Sequence, residues 1–315
     1  MRLVFLDAKT LGDIPNLHLL DQYGEATYYP TTRPDQTPDR IRDADIVVTN
    51  KVVLDRAAIE QAGRLRLICV AATGTNNVDK AAAEARGIPV RNVSNYSTPS
   101  VAQGTFAILL QLMVNVPYFD AYVKGGDYAR TDIFTHLGRS FRELAGQRFG
   151  IVGLGNIGGQ VARIADAFGA DVVYYSTSGR NDQQPYRRLE LDEFLATCDV
   201  VSVHAPLNEN TADLFQYDRL RRMKPTALLI NVGRGGIVNE ADLARALDEG
   251  LLAGAGIDVF EREPIQSDNP LLRVKQPERL VLTPHVTWAS VESRIRLMDA
   301  VGGHIREFLA TNAPA

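Results

Sequence analysis

The hexapeptide Gly153-Leu154-Gly155-Asn156-Ile157-Gly158 stands between an apolar run, Arg148-Phe149-Gly150-Ile151-Val152, and a stretch with Val161, Ile164, Ala165 and Phe168 on one helical face. Strand, glycine turn, helix: that framing predicts a parallel α/β sheet with a dinucleotide at the turn. Each glycine has its own task. Gly153 makes the tight turn, Gly155 lets backbone approach a pyrophosphate, and Gly158 lets the helix pack close on its strand. The phosphates would meet N–H groups at the positive end of the helix. A glycine-rich turn that binds nothing is the alternative, and the flanking strand and helix count against it.

The next strand, Asp171-Val172-Val173-Tyr174-Tyr175, ends in Ser176-Thr177-Ser178-Gly179-Arg180. An NAD-preferring site usually has a carboxylate there, about 20 residues past the glycines. A carboxylate would repel a 2′-phosphate, so its absence permits NADP(H) as well as NAD(H). The hydroxyls and Arg180 offer donors for that phosphate. Serines bonded to the ribose of plain NAD are the other reading.

A chain of 315 residues, 45% hydrophobic, has room for two α/β domains, each with its own core. Its net charge of −4 gives no basic footprint for nucleic acid. The opening Met1–Asp7 reads as a strand, too short and too soon acidic for a signal peptide. No apolar run approaches the roughly 18 residues of a membrane span. The two cysteines, Cys69 and Cys198, lie in or beside apolar strands and read as buried thiols of a cytoplasmic protein. Neither has a second cysteine or a histidine at ligand spacing, so no metal site is expected.

Up to about residue 95, strands at 3–6, 26–29, 45–49, 65–71 and 89–92 alternate with helical patterns such as 55–62 and 79–86. A long helix follows from about Pro99 to Lys124, capped by Ser97 or Thr98. A second alternating set starts at Arg148 and runs through 199–204, 226–231, 253–259 and 280–283. A last amphipathic helix spans about 290–310. The expected fold is α/β with two doubly wound parallel-sheet domains. One is a Rossmann-type dinucleotide domain over 98–286. The other is a flavodoxin-like substrate domain, discontinuous because the last helix returns to it, over 1–97 and 287–315. A cleft is expected between the two. Asp182-Gln183-Gln184-Pro185 reads as a polar loop.

In open α/β sheets, ligands bind beyond the carboxyl ends of the strands. Three residues of the second set fall there. Arg234 lies in Asn231-Val232-Gly233-Arg234-Gly235-Gly236, Glu263 in Asp258-Val259-Phe260-Glu261-Arg262-Glu263-Pro264, and His285 after Leu280-Val281-Leu282-Thr283-Pro284. Singly, each has an ordinary reading: a helix-capping arginine, a surface glutamate, a structural histidine. On one sheet edge with the glycine loop, they support one another as a catalytic set.

These motifs, in this order and spacing, resemble the D-isomer-specific 2-hydroxyacid dehydrogenase family over nearly the whole chain. Ala71–Asp79 (AATGTNNVD) and Ser97–Gln103 (STPSVAQ) match in the amino-terminal half. The wording of Thr49-Asn50-Lys51-Val52 and Ser100-Val101-Ala102-Gln103 is most similar to the glycerate dehydrogenase (hydroxypyruvate reductase) branch. The resemblance implies reversible NAD(P)H-dependent reduction of a small 2-keto acid, hydroxypyruvate or glyoxylate, to its D-2-hydroxy acid. Arg234 would bind the substrate carboxylate and polarise the keto oxygen. His285 would exchange the proton, an imidazole being suited to both directions near neutrality, and Glu263 would hold its second nitrogen. Backbone N–H groups of Thr73 and Gly74 would grip the substrate carboxylate.

For the cofactor, the family pattern maps onto Asn156 and Ile157 at the pyrophosphate and Ser176 at the adenosine ribose. It also maps onto His204, Ala205 and Pro206, Thr211, Val232, Gly233, Asp258 at the nicotinamide carboxamide, and Thr105 nearby. His204 is read as cofactor-lining or structural rather than as a catalytic base. Lys51 is a candidate substrate-side cation, or else a solvated strand-end lysine. Two departures stand out. Gly104 replaces a frequent histidine inside a helix, at roughly 1 kcal/mol against alanine, which points to close packing or a bound group. The segment Arg139–Leu144 also differs from the family's usual tryptophan-rich approach, so the resemblance does not fix the substrate there. Apolar residues on more than one face of the long helix, with the resemblance, imply a homodimer. A dinucleotide-sensing corepressor shares this fold and is the rival function; the chain lacks the basic or disordered tails it would need.

Overall fold

The computed structural model describes residues 1–180 and 184–312. Asp182 and Gln183 of the expected polar loop Asp182-Gln183-Gln184-Pro185, and the last three residues, lie outside that range. The chain divides into two compact units, Met1–Ser97 with Ala289–Ala315, and Thr98–Trp288.

The first unit is a five-stranded parallel sheet: β1 (Arg2–Phe5), β2 (Glu25–Tyr28), β3 (Ile46–Thr49), β4 (Leu67–Val70) and β5 (Val90–Asn92), in the order β2-β1-β3-β4-β5. That order is the flavodoxin-like one. β3 and β4 read as unbroken apolar runs because both faces are covered, and all eight of their residues are buried. The helix Val291–Thr311 packs on β4 through this unit's core, with Leu297, Met298, Val301 and Ile305 buried. Its cap is Ser290, whose hydroxyl accepts the N–H of Ser293 at 3.2 Å.

The second unit has seven parallel strands: β6 (Arg148–Val152), β7 (Asp171–Tyr175), β8 (Arg187–Arg188), β9 (Val200–Val203), β10 (Leu228–Asn231), β11 (Gly254–Ile257) and β12 (Leu280–Leu282). They run β12-β11-β10-β9-β6-β7-β8. From β6 the chain winds outward to β8, then jumps back to β9 and winds the other way. The β6/β9 junction is therefore the switch point where such sheets bind ligands. Two apolar clusters cover this sheet, one around Phe194, Phe215 and Leu243, the other around Phe106, Phe149 and Tyr174. Each buried side chain of that size contributes about 1.5–3 kcal/mol.

The two-residue β8 was not expected; a pair of arginines carries no strand pattern. Nor is the long helix continuous. It ends at Val114 and resumes at Val116–Lys124 with a 58° bend. Pro117 lacks an N–H and its ring cannot follow the carbonyl four residues back. Asn115 takes the left-handed conformation (φ 53°), and its side chain accepts the N–H of Tyr118 at 3.3 Å. Phe106 and Leu109 on this helix are buried in this unit. The exposed apolar groups lie further on: Val116, Val123, Tyr128, Ile133, Phe134 (90% exposed), Leu137 (78%) and Phe141. Among the described residues no single helix is long and apolar enough to cross a membrane.

Candidate active site

The carboxyl ends of β6, β9 and β10 meet at the switch point. Gly153 sits at φ +88°, a conformation L side chains rarely adopt, and a Cβ there would come within 2.9 Å of the Ala205 backbone. Gly158 opens the helix Asn156–Ala167 against its strand, where a Cβ would lie 2.3 Å from the Gly153 carbonyl oxygen. Gly155 differs from both. It is extended, has no side-chain cap bond, and a Cβ on it would touch nothing within 4 Å. Open space therefore lies beside Gly155, where that helix begins and its dipole is positive. That cradle fits a pyrophosphate, and the dinucleotide it would hold supplies the hydride.

The other predicted cofactor residues are distributed around this loop. Ser176 is buried directly after β7. His204 follows β9, its N–H donated to Val152 O at 2.8 Å and its Nε2 paired with Ser202 Oγ at 2.9 Å. The residue keeps some surface, yet its Nδ1 is buried without a hydrogen-bond partner among the described residues. Burial pushes this imidazole down to about 3, so it is neutral at physiological pH. Thr211 Oγ1 donates to Pro206 O at 2.7 Å and accepts from the N–H of Asn208, shaping the 206–211 turn. Thr105 is buried and its hydroxyl bonds Val101 O within its helix. Ile157 and Val232 pack in the core beside the loop.

His285 and Glu263 meet. Nδ1 lies 2.7 Å from Glu263 Oε2, with both side chains partly exposed, and Glu263 Oε1 accepts the Phe260 N–H at 3.0 Å. The carboxylate is thereby fixed on both oxygens. Arg234 lies on the neighbouring turn, where Gly235 packs so tightly that a Cβ would fall 1.9 Å from Phe260 O. Asn231, which sequence reasoning passed over, builds that turn: its Oδ1 accepts the Gly233 N–H and its Nδ2 donates to Arg234 O. An asparagine ending a strand two residues before a glycine was the available signal. One Arg234 donor goes to Gly233 O at 2.8 Å, out of five on a guanidinium.

Asp258 makes contacts that the sequence did not indicate. It is fully buried at the end of β11, and its carboxylate accepts four hydrogen bonds from the segment bearing His285. The donors are Thr283 Oγ1 (2.6 Å), Val286 N (2.8 Å), Thr287 N (3.1 Å) and Thr287 Oγ1 (2.6 Å). Its carbonyl also accepts the His285 N–H at 2.7 Å. His285 has φ +50°, unusual outside glycine. Thr287 and Trp288 therefore group with the second unit, two residues beyond the expected boundary.

In the first unit, Thr73 is exposed in the turn after β4, its carbonyl bonded by Asn92 Nδ2 at 2.6 Å, and Gly74 follows it. Lys51 is exposed after β3. Buried Asp7 organises that loop, accepting N–H bonds from Asn50 (2.8 Å), Lys51 (2.6 Å) and Val52 (3.2 Å). Desolvation raises the Asp7 carboxyl above its ordinary range in spite of these donors. Cys69 and Cys198 are free and buried, which lifts both thiols to about 12. Among the described residues no cluster of His, Cys, Asp and Glu could hold a metal ion.

The model of the D-isomer specific 2-hydroxyacid dehydrogenase NAD binding domain matches residues 106–287. The hydroxypyruvate reductase of Blautia hydrogenotrophica is 37% identical over 316 residues, covering 98% of this chain and 97% of that one. The glycerate dehydrogenase of Methylorubrum extorquens is 35% identical over 311 residues, covering 98% and 96%. Among solved structures, the NADPH-dependent glyoxylate/hydroxypyruvate reductase of Sinorhizobium meliloti, in complex with NADP and malonate, superposes with a TM-score of 0.80. It is 28% identical, with 98% of this chain and 94% of that chain covered. Fold, cofactor loop and relatives agree: the chain belongs to the D-isomer-specific 2-hydroxyacid dehydrogenases, NAD(P)-dependent oxidoreductases acting on CH–OH groups.

Proposed function

We propose that this protein reduces hydroxypyruvate, glyoxylate or a similar small 2-keto acid reversibly to the D-2-hydroxy acid. The observation that carries the reading is the 2.7 Å pair of Glu263 and His285 on the strand edge that also bears the glycine loop. With Nδ1 engaged by Glu263, the imidazole's Nε2 is the atom that gives a proton to the alkoxide oxygen in reduction and takes it back in oxidation. The nicotinamide, when bound, supplies the hydride to C2. Arg234 holds the substrate carboxylate and stabilises the charge growing on the keto oxygen, and the Thr73 and Gly74 N–H groups are further carboxylate donors. Lys51 is an additional substrate-side cation.

In this reading Gly153, Gly155, Asn156, Ile157 and Gly158 take the pyrophosphate and Ser176 the adenosine ribose. His204, Ala205, Pro206, Thr211, Val232, Gly233, Asp258 and Thr105 line the rest of the cofactor site. Ser176 in place of a carboxylate, with Arg180 nearby in sequence, admits NADPH. The solvent-facing apolar groups over 116–141 support a homodimer, and the two free thiols fit the cytoplasm. NADH and NADPH oxidation measured against hydroxypyruvate, glyoxylate and pyruvate tests the function. No turnover with any of them, despite tight cofactor binding, refutes it. Light scattering that returned a monomer would refute the dimer.

A further inference from the structure

We propose that Gly104 is a positioning residue for the proton relay, acting through Thr287 and Asp258; this rests on His285 being the proton carrier. Glycine is a poor residue for the interior of the helix Thr98–Val114, and its place there is explained by what lies opposite. A Cβ at 104 would stand 2.7 Å from Thr287 Cγ2, 2.8 Å from Thr287 Cβ and 3.2 Å from Thr287 Cα. The absent side chain is the seat on which Thr287 rests.

Thr287 is held there from both sides. One turn earlier on the same helix, Ser100 Oγ donates to Thr287 O at 2.6 Å, with both residues buried. From the strand side, Thr287 gives its N–H and hydroxyl to Asp258 Oδ2, while Oδ1 takes Thr283 Oγ1 and the Val286 N–H. Between these anchors, two residues from Thr287, His285 is kept at φ +50° with its Nδ1 on Glu263. Helix, threonine and buried carboxylate form one clamp around the histidine. A methyl at 104 would force Thr287 away by about 0.8 Å to restore a normal carbon contact near 3.5 Å. A displacement of about 1 Å at a catalytic group can cost on the order of 100-fold in rate.

Gly104→Ala should therefore lower kcat about 10- to 100-fold with hydroxypyruvate, with KM changed less than about threefold. The Kd for NADH, read by fluorescence titration, should stay within about twofold. Thr287→Val keeps the shape and removes the hydroxyl on Asp258, and should lower kcat on its own. Gly303→Ala, in the helix Val291–Thr311 with nothing within 4 Å of its Cβ, is the control and should leave kcat unchanged. Wild-type kcat in Gly104→Ala or in Thr287→Val overturns the proposal. So does a loss of NADH affinity matching the loss of kcat. A wild-type protein inert toward every keto acid would instead sink the proposed function. The clamp is then tested by NMR, where the His285 ring signal should shift in Gly104→Ala and stay in place in Gly303→Ala; no shift overturns it.

Discussion

Gly155→Ala and Gly158→Ala separate what two glycines of the loop do. At Gly155 a Cβ meets nothing within 4 Å and the backbone is already extended. Alanine there restricts the unfolded chain, worth about 0.4–1 kcal/mol. It is also a poorer helix cap than glycine by a similar amount. The two effects offset, so the melting temperature should move by less than about 2 °C for a unit of this size. The methyl nevertheless occupies the space assigned to the pyrophosphate. Displacing one or two charge-assisted bonds at roughly 1.5–3 kcal/mol each weakens NADH and NADPH at least about tenfold. At Gly158 the methyl lies 2.3 Å from the Gly153 oxygen and 3.1 Å from Ile151 Cγ2, so the helix must retreat from β6. Overpacking of that kind costs about 1–3 kcal/mol, or roughly 3–10 °C. Thermal melts and fluorescence titrations on both variants decide the matter. Wild-type cofactor affinity in Gly155→Ala would refute the cradle, and a large drop in its melting temperature would refute the open space.

Three further outcomes are expected. His285→Ala should lower kcat by two or more orders of magnitude while NADH still binds, since only the proton donor is lost; near-normal turnover would contradict the assignment. His204 is depressed to about 3 by burial, so between its unfolded value near 6.5 and pH 3 the unfolded chain takes up a proton that the native state refuses. Stability should then fall on acidification by at most about 1.4 kcal/mol per pH unit, and His204→Gln should flatten the melting temperature between pH 7 and pH 5. With both thiols raised to about 12, a disulfide reagent should leave the native protein unlabelled and label two cysteines only in denaturant; fast native labelling would contradict the burial.

The strands and the glycine loop were legible because parallel strands buried on both faces announce themselves as short apolar runs between turn residues. The tight turn at Gly153 and the close packing at Gly158 could likewise be read from their order alone. What escaped was local backbone chemistry. The break at Asn115 was signalled by Pro117 but masked by the apolar residues on either side of it. The two arginines of β8 gave no pattern at all. The chemistry of Asp258 was hidden for another reason: its four donors come from residues 283–287, and only folding brings β11 beside β12. The pairing of Gly104 with Thr287 is 183 positions apart and equally invisible to any local rule.

The anchoring of His285 to the end of β11 has a bearing on turnover. Immobilising a backbone residue costs roughly 1–2 kcal/mol in entropy, and here that cost is met when the sheet forms rather than each time a substrate molecule arrives. The imidazole travels with the strands as a fixed fitting. Any motion that accompanies catalysis must accordingly be sought in segments other than the one that bears His285.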